Sequence, residues 1–313
     1  MRKLKILISG GGTGGHIFPA LAIAKSIEKI VSNVDFLFVG ANDRMEMQKI
    51  PNEGYKIIGL WISGLQRSLN IKNLLFPIKL FHSLWKAKKI IKEFRPDLVI
   101  GTGGYASAPL LYTAANRGVP SVIQEQNSYP GLTNKFLSKY VHKVCVAYDN
   151  MEIFFPSDKI IITGNPIRKN ILDFANTRDE GQKLFDIDKS KPTILVVGGS
   201  LGALTINNAI KENINNLDQI GLNLIWQTGT SYENQAQECI IDLNVRGMNA
   251  YTFIKDMHKA YATADVIISR AGAIAISELC FVGKPLILIP SPNVSENHQY
   301  KNAQSLVNKN AAL

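Results

Sequence analysis

Near the amino terminus the stretch ILISGGGTGGHIFPA sets a glycine cluster, one threonine and one histidine between an apolar run and an amphipathic segment. The backbone N–H groups of Gly11, Gly12, Thr13, Gly14 and Gly15, at the positive end of the helix that follows, can converge on an oxyanion. A dinucleotide site is the first possibility, but GGGTGG threads only loosely through the G-x-G-x-x-G spacing. FLFVGAND, at the second strand, ends in glycine where the ribose-binding acid of such a site belongs. A nicotinamide cofactor is therefore disfavoured. His16 closes the loop, and two roles fit it. It is a helix-start histidine bonding locally, or a general base beside a bound sugar or phosphate, its ordinary pKa lying near neutrality.

Further glycine turns and amides recur downstream. GTGGYASAP begins at Gly101, behind the apolar run DLVI, and QEQNSYPGLTNK brings Glu125, Asn127 and Asn134 to the end of the next run. Loops of small residues and amides at successive strand ends suit a polar, hydroxyl-rich ligand in one crevice. In the second half, GGSLGA (198–203) offers a second anion site. TGNPIR places the Arg168 guanidinium where it can fork onto a diphosphate. SRAGAIAISE carries Glu278 into the first turns of a helix, where its carboxylate can accept both hydroxyls of a ribose. ENHQY adds His298 and Gln299 as readers of sugar hydroxyls. The D-x-D pair Asp186 and Asp188 looks like a glycosyltransferase metal motif, but it lies in a polar connection without other clustered carboxylates. A solvated cap and turn is expected there, and no metal site.

These residues need strands and helices to aim them. KILIS, DFLFVG, DLVIGT and SVIQEQ read as buried strands, and between the first two Ile17, Leu21, Ala24, Ile27 and Val31 keep one helical face apolar. Strand–helix alternation argues for parallel sheets covered on both faces. The pattern restarts at PTILVVGGSLGALTINNAI, from Pro192, and LNLIWQTG, DVIISRAGA and PLILIPSP supply further strands. Two Rossmann-like domains are expected, residues 1–163 and 164–313, with one long doubly wound sheet as the alternative.

The 313 residues have an ordinary globular composition, 46% hydrophobic and 19% charged. Cys145, Cys239 and Cys280 are too dispersed for a disulfide framework or a zinc site and suit a reducing compartment. The basic start MRKLK leads into an apolar run too short for a signal peptide, and no run reaches the ~18 residues of a membrane span. A soluble protein is expected. The net charge of +10 fits nucleic acid, an anionic lipid surface or a phosphorylated ligand. It concentrates in LNIKNLLFPIKLFHSLWKAKKIIKEFR, where Lys72, Lys79, Lys86, Lys88, Lys89, Lys92 and Arg95 stand among Leu74, Leu75, Ile78, Phe81, Leu84 and Trp85. A helix of that mixture, started or kinked by Pro77, gains apolar burial and headgroup attraction at a bilayer. The alternative is a surface helix whose apolar face is simply core.

Taken in order, GGTGGH, GTGGYASAP, EQNSYPGLTNK, TGNPIR, GGSLGA, FIKDM, SRAGAIAISE and NHQY resemble the motifs of the MurG family over essentially the whole chain. That family comprises the UDP-N-acetylglucosamine–N-acetylmuramyl-(pentapeptide) pyrophosphoryl-undecaprenol N-acetylglucosamine transferases. The resemblance implies an α/β architecture, the GT-B glycosyltransferase fold of two Rossmann-like domains whose parallel sheets face each other across a cleft. The first domain would serve the acceptor and membrane, the second the UDP-sugar. The resemblance further implies an inverting, metal-independent hexosyltransferase with UDP-GlcNAc as a substrate and no cofactor. Such an enzyme forms lipid II from lipid I in peptidoglycan synthesis, and so serves cell wall biogenesis, cell shape and cell division. The implied partners are UDP-GlcNAc, lipid I and an anionic membrane surface, not nucleic acid. The implied location is the cytoplasmic face of the bacterial plasma membrane, as a peripheral protein.

On the matching positions, the resemblance makes His16 the candidate base for the acceptor 4-hydroxyl. Thr13, Gly14, Gly15, Gly103, Gly104, Tyr105 and Asn134 would contact the acceptor. Thr13, Gly14 and Gly15 would also serve the donor, with Asn127, Arg168, Ser200, Ile254, Ala273, Glu278 and Gln299. Among these, Arg168 and Ser200 fall to the diphosphate, the Ile254 backbone to the uracil, Glu278 to the ribose and Gln299 to the transferred sugar. The membrane patch would comprise Lys72, Leu75, Ile78, Lys79, Phe81, Trp85 and Lys86.

The sequence also departs from the family. Leu201 stands where many members have glutamine, and Gln124 replaces a frequent histidine. The chain ends at NKNAAL, short of the further helices that usually follow and pack back on the first domain. Two other readings therefore stand beside the transferase. One is another GT-B glycosyltransferase or a UDP-sugar epimerase; the other is a truncated, inactive UDP-sugar-binding protein.

Overall fold

The structure, a computed structural model, describes residues 2–64, 74–199, 201–243 and 245–313. Its contacts divide the chain into two compact units, Met1–Pro166 and Ile167–Leu313.

In the first unit the apolar runs form parallel strands separated by helices. The order begins β1 (Leu4–Ser9), α1 (Gly14–Ile30), β2 (Val34–Ala41), α2 (Glu46–Asn52), β3 (Lys56–Leu60) and α3 (Phe76–Phe94). It continues with β4 (Leu98–Gly101), α4 (Ser107–Ala115), β5 (Ser121–Glu125), α5 (Leu132–Leu137), β6 (Lys143–Val146) and β7 (Ile160–Ile162). Both faces of the sheet are covered, so successive residues of β1 enter different cores. Ile6 and Ile8 join Phe36, Phe38 and Ile100 against Ile17, Ala20, Leu21 and Ala24 of α1. Leu7 joins Val39, Val99 and Ile123 against Ala87 and Ile90 of α3 and Leu110 and Leu111 of α4. Each of the larger side chains contributes about 1.5–3 kcal/mol by leaving water. Burial on both sides is why these strands read as unbroken apolar runs.

Strand order is β3-β2-β1-β4-β5-β6-β7. The chain therefore moves from β1 out to β3, then crosses back to β4 on the other side of β1. At that reversal the carboxyl ends of β1 and β4 open adjacent loops, the place where doubly wound sheets hold ligands.

The second unit repeats the scheme. Two short helices, α6 (Lys169–Leu172) and α7 (Arg178–Leu184), lead into β8 (Thr193–Val197), α8 (Leu204–Gln219), β9 (Asn223–Gln227) and α9 (Glu233–Leu243). Then come β10 (Met248–Tyr251), α10 (Met257–Thr263), β11 (Val266–Ser269), α11 (Ala273–Val282), β12 (Leu286–Leu288) and α12 (His298–Val307). The order β10-β9-β8-β11-β12 puts its reversal between β8 and β11, beside the GGSLGA and SRAGA turns. One core packs Val196, Leu224 and Trp226 of the sheet against Ile206, Ile210 and Ile214 of α8.

The strands that the sequence pattern left unmarked include β3, β7 and β10, each at the edge of its sheet. These strands are short, three residues in β7, five in β3 and four in β10, too brief for a run of apolar residues to mark them as strands on pattern alone. Pro77 lies in the first turn of α3, where its missing N–H costs nothing.

A buried polar link ties α8 to β9. The Asn207 amide nitrogen donates to the Thr228 carbonyl at 2.8 Å, and its oxygen accepts the Trp226 indole N–H at 3.1 Å. Asn207→Leu leaves both partners buried without their bonds and is expected to cost about 2–3 kcal/mol, read as a lower urea midpoint by tryptophan fluorescence. An unchanged midpoint would contradict the packing described.

Candidate active site

The glycine loop after β1 is already engaged with an anion, and that anion belongs to the protein. Glu46, the first residue of α2 and 0% exposed, turns its carboxylate under the loop. Gly12 N–H donates to both of its oxygens, at 3.2 and 3.1 Å, and Ala41 N–H donates to Oε1 at 3.0 Å. Gly11 and Gly40 make the room for it. A Cβ on Gly11 would lie 2.2 Å from Glu46 Oε1, and one on Gly40 would lie 2.6 Å from Cγ. The expected convergence of loop N–H groups on a ligand thus loses Gly12 to an internal acceptor. Thr13 has extended dihedrals and begins α1 as its N-cap, followed by Gly14 and Gly15 in the first turn.

His16, in that same turn, is oriented by Nδ1. This nitrogen lies 3.1 Å from the Gly11 carbonyl oxygen and 3.2 Å from Thr13 Oγ1. A carbonyl only accepts, so the contact requires the proton on Nδ1, which in the neutral ring leaves the lone pair on Nε2. The Nε2 edge of the ring lies over Gly103, where a Cβ would come within 2.8 Å of Cδ2 and 3.1 Å of Nε2. Gly104 fits as tightly: its φ is +80°, and a Cβ there would meet the Gly11 carbonyl oxygen at 2.3 Å. The turn after β4 therefore needs glycine because the β1 loop and His16 pack directly against it. The Tyr105 ring covers Gly12, and Thr102 Oγ1 donates to the His16 carbonyl at 2.8 Å.

The loop after β5 is organised by Glu125, wholly buried, which accepts from four groups. These are Asn127 N–H at 3.0 Å, Asn127 Nδ2 at 3.2 Å, Gly131 N–H at 3.3 Å and Asn134 Nδ2 at 2.8 Å. Burial holds its carboxyl pKa above the usual carboxylate value, and the bonds from Asn127, Asn134 and Gly131 offset only part of that rise. The donors all point inward, the arrangement a carboxylate satisfies. Gln126 joins this loop to the previous one, donating to the Thr102 carbonyl at 2.8 Å. Gln124 donates to Asn165 Oδ1 at 2.8 Å.

The first unit thus gathers Thr13, Gly14, Gly15, His16, Gly103, Gly104, Tyr105, Asn127 and Asn134 on neighbouring loops at one sheet edge. Glu46 and Gln126 were not anticipated. Gln126 sits inside a motif already singled out. Glu46 lies 34 residues from its loop partner, and only the β1–β2 register brings the two together.

In the second unit Arg168 and Glu278 meet each other. Arg168 Nε donates to Oε1 and Nη2 to Oε2, both at 2.7 Å. The Glu278 side chain is 3% exposed, and its hydrogen bond with Arg168 raises the guanidinium pKa. The Arg168 side chain is half exposed, so it is the buried Glu278 carboxylate that depends on the pair. The fork expected on a diphosphate is therefore placed, in this structure, on the carboxylate expected at the ribose. Ala273 opens α11. Ile254 N–H donates to Gln227 Oε1 at 3.0 Å, and Gln227 Nε2 donates to the Gly199 carbonyl at 3.0 Å. Gln299 Oε1 accepts Ser291 N–H at 2.8 Å. Ser200 lies outside the described residues, as does Lys72. Asp186 pairs with Arg246, while Asp188 Oδ1 accepts Ser190 N–H and Oγ–H, so the D-x-D residues make turn and surface contacts.

On α3, Phe81 and Trp85 are 74% and 64% exposed; Ile78 is exposed too, as are Leu74 and Leu75 just before the helix, while Ser83, Ala87, Ile90 and Ile91 are buried. Two of the expected cations are turned inward: Lys79 donates to Ser63 Oγ at 3.1 Å and Lys86 to the Gly59 carbonyl at 2.7 Å. Lys88 and Lys89 are exposed.

The matches to known proteins follow the division into two units. Residues 6–146 match the glycosyltransferase family 28 N-terminal domain, and residues 193–313 match the family 28 C-terminal domain. A Cytophaga hutchinsonii protein named UDP-N-acetylglucosamine–N-acetylmuramyl-(pentapeptide) pyrophosphoryl-undecaprenol N-acetylglucosamine transferase is 54% identical over 99% of this chain and 83% of its own length. A Christiangramia forsetii protein of the same name is 52% identical over 99% of this chain and 84% of its own. The crystal structure of Acinetobacter baumannii MurG superposes with a TM-score of 0.79 at 31% identity, covering 99% of this chain and 85% of that one.

Glu125→Gln exchanges one acceptor oxygen for an NH2 facing N–H donors. The expected loss is about 1–3 kcal/mol of stability, with faster amide exchange at Asn127 and Gly131. Exchange unchanged at both would show that Glu125 does not organise the loop.

Proposed function

Because the chain belongs to the MurG family within glycosyltransferase family 28, we propose that it transfers N-acetylglucosamine from UDP-GlcNAc to N-acetylmuramyl-(pentapeptide) pyrophosphoryl-undecaprenol (lipid I), giving lipid II. The likeness to transferases of that name along the whole chain carries this reading. The loops supply parts suited to the chemistry.

The acceptor 4-hydroxyl gives its proton to His16 Nε2 while its oxygen bonds to the anomeric carbon of the donor sugar. The bond from that carbon to the β-phosphate oxygen breaks, UDP leaves with the electron pair, and the configuration inverts. Thr13, Gly14, Gly15, Gly103, Gly104, Tyr105 and Asn134 form the acceptor surface, and Asn127 reaches the donor. Negative charge gathers on the departing diphosphate, where Arg168 and a helix amino terminus stabilise it; no metal or cofactor is invoked. The fork onto Glu278 uses two of the guanidinium's roughly five N–H donors, so Arg168 can hold the carboxylate and still address a phosphate. Glu278, fixed in this way, presents its outer lone pairs to the ribose. At Ile254 the N–H serves Gln227, which makes the carbonyl the group suited to a uracil N3–H. Ser200, Ala273 and Gln299 complete the donor set.

Among the described residues, no helix is long and apolar enough to cross a membrane. The exposed apolar side chains on α3, with Lys88 and Lys89, suit peripheral attachment to an anionic bilayer at its cytoplasmic face, where a lipid-linked acceptor would be met.

Incubated with UDP-GlcNAc, the protein should release UDP only when a lipid I analogue is present. Donor consumption without acceptor would favour an epimerase, and donor binding without turnover an inactive sugar-nucleotide binder. His16→Ala should lower kcat by on the order of 10²–10⁴ with little change in donor KM; near-wild-type turnover would remove His16 from the role of base. Phe81→Asp should weaken binding to phosphatidylglycerol vesicles by about tenfold or more in a sedimentation assay. Equal binding by the variant would move the membrane surface elsewhere.

A further inference from the structure

The buried carboxylate of Glu46 and the imidazole of His16 use opposite sides of one peptide group. The peptide joining Gly11 to Gly12 donates its N–H to Glu46 and accepts the His16 Nδ1 proton at its carbonyl oxygen. We propose that Glu46 is a positioning residue for His16, acting through the Gly11–Gly12 peptide; the proposal rests on the reading of His16 as the base.

Three features support it. Glu46 is wholly buried, yet among the described residues no lysine or arginine pairs with it, and its hydrogen-bond donors are backbone N–H groups. A buried carboxylate without a counter-cation is costly, and the group that turns cationic during the reaction is His16. Next, a carboxylate on the N–H side pushes electron density towards the carbonyl oxygen, because bonds in a chain polarise one another. The Gly11 oxygen then holds Nδ1–H more firmly, most of all once the ring is protonated, and Nε2 becomes the better base. Finally, Gly11 and Gly40 are both close-packed against the Glu46 side chain, so the placement of this acid is tightly fixed. The arrangement resembles a carboxylate–histidine pair with one peptide inserted between the members.

Among the described residues, Tyr105 lies beside this pair, and Arg44 lies beside Tyr105. The Tyr105 ring lies against Gly12, and its hydroxyl pKa is raised by burial, lowered by Arg44 and raised by Glu46.

Glu46→Gln keeps the shape and removes the charge. Without the carboxylate the imidazolium is less favoured, so His16 loses its proton at lower pH. The acidic limb of the kcat/KM profile should move down by about one pH unit. We expect kcat to fall by on the order of tenfold, with the UDP-GlcNAc KM within about twofold of wild type. A purely structural Glu46 would lower the melting temperature and leave that limb in place, which would overturn the proposal.

Should the variant fail to fold, the unaltered protein decides. By NMR, the Gly12 amide resonance should titrate with the same midpoint as the His16 ring, and an amide that ignores the ring would overturn the proposal. The ring titration is read without turnover, so the two ideas fail separately. An active His16→Ala removes the base reading, whereas an inactive His16→Ala with no Gly12 co-titration removes only the Glu46 role.

Discussion

The peptide between Gly11 and Gly12 is gripped on both sides, by a carboxylate beneath it and an imidazole above it, and the first unit's site is arranged around that grip. Each neighbour depends on it sterically. Gly104 must be glycine because a Cβ would strike the Gly11 carbonyl oxygen, and Gly103 because a Cβ would strike the His16 ring. Tyr105 covers the loop at Gly12. The glycine turns after β1 and β4 are thus two surfaces of one packed junction, at the reversal of strand order where a doubly wound sheet exposes its loops.

The second unit solves a related problem with side chains. Its reversal lies between β8 and β11, and the charges there belong to Arg168 and Glu278. Burying Glu278 is tolerable because a bidentate guanidinium meets both of its oxygens. One unit therefore gathers an imidazole and glycine backbone at its reversal, the groups that the proposed reaction assigns to the acceptor. The other holds a paired arginine and carboxylate, suited to a diphosphate and a ribose.

Much of this was legible in the sequence. Two-sided burial gives β1, β2, β4 and β5 continuous apolar runs, and the restart at Pro192 exposes the second unit through the same physics. The loops holding His16, Gly103 and Asn134 announce themselves through local composition, since a glycine turn at a strand end is a local signal. Glu46 does not. It opens α2, just beyond β2 and near the place where a dinucleotide site keeps its acid, and only the register of β1 against β2 directs it inward to Gly12. The pairing of Arg168 with Glu278 spans 110 positions and was equally hidden. Residue types gave each a ligand, and the fold first gave each the other. The α3 segment shows the same limit: its apolar stripe was readable, but nothing local says that Lys79 and Lys86 turn towards Ser63 and Gly59.

The account turns on which nitrogen of His16 carries the proton. Ring nitrogen NMR of the protein labelled at histidine, recorded above the pH at which His16 titrates, reports this directly. Held by the Gly11 carbonyl, His16 should show a protonated Nδ1 and an unprotonated Nε2. An Nε2–H tautomer would contradict the account, because the nitrogen facing Gly103 could not then accept a proton from the acceptor hydroxyl.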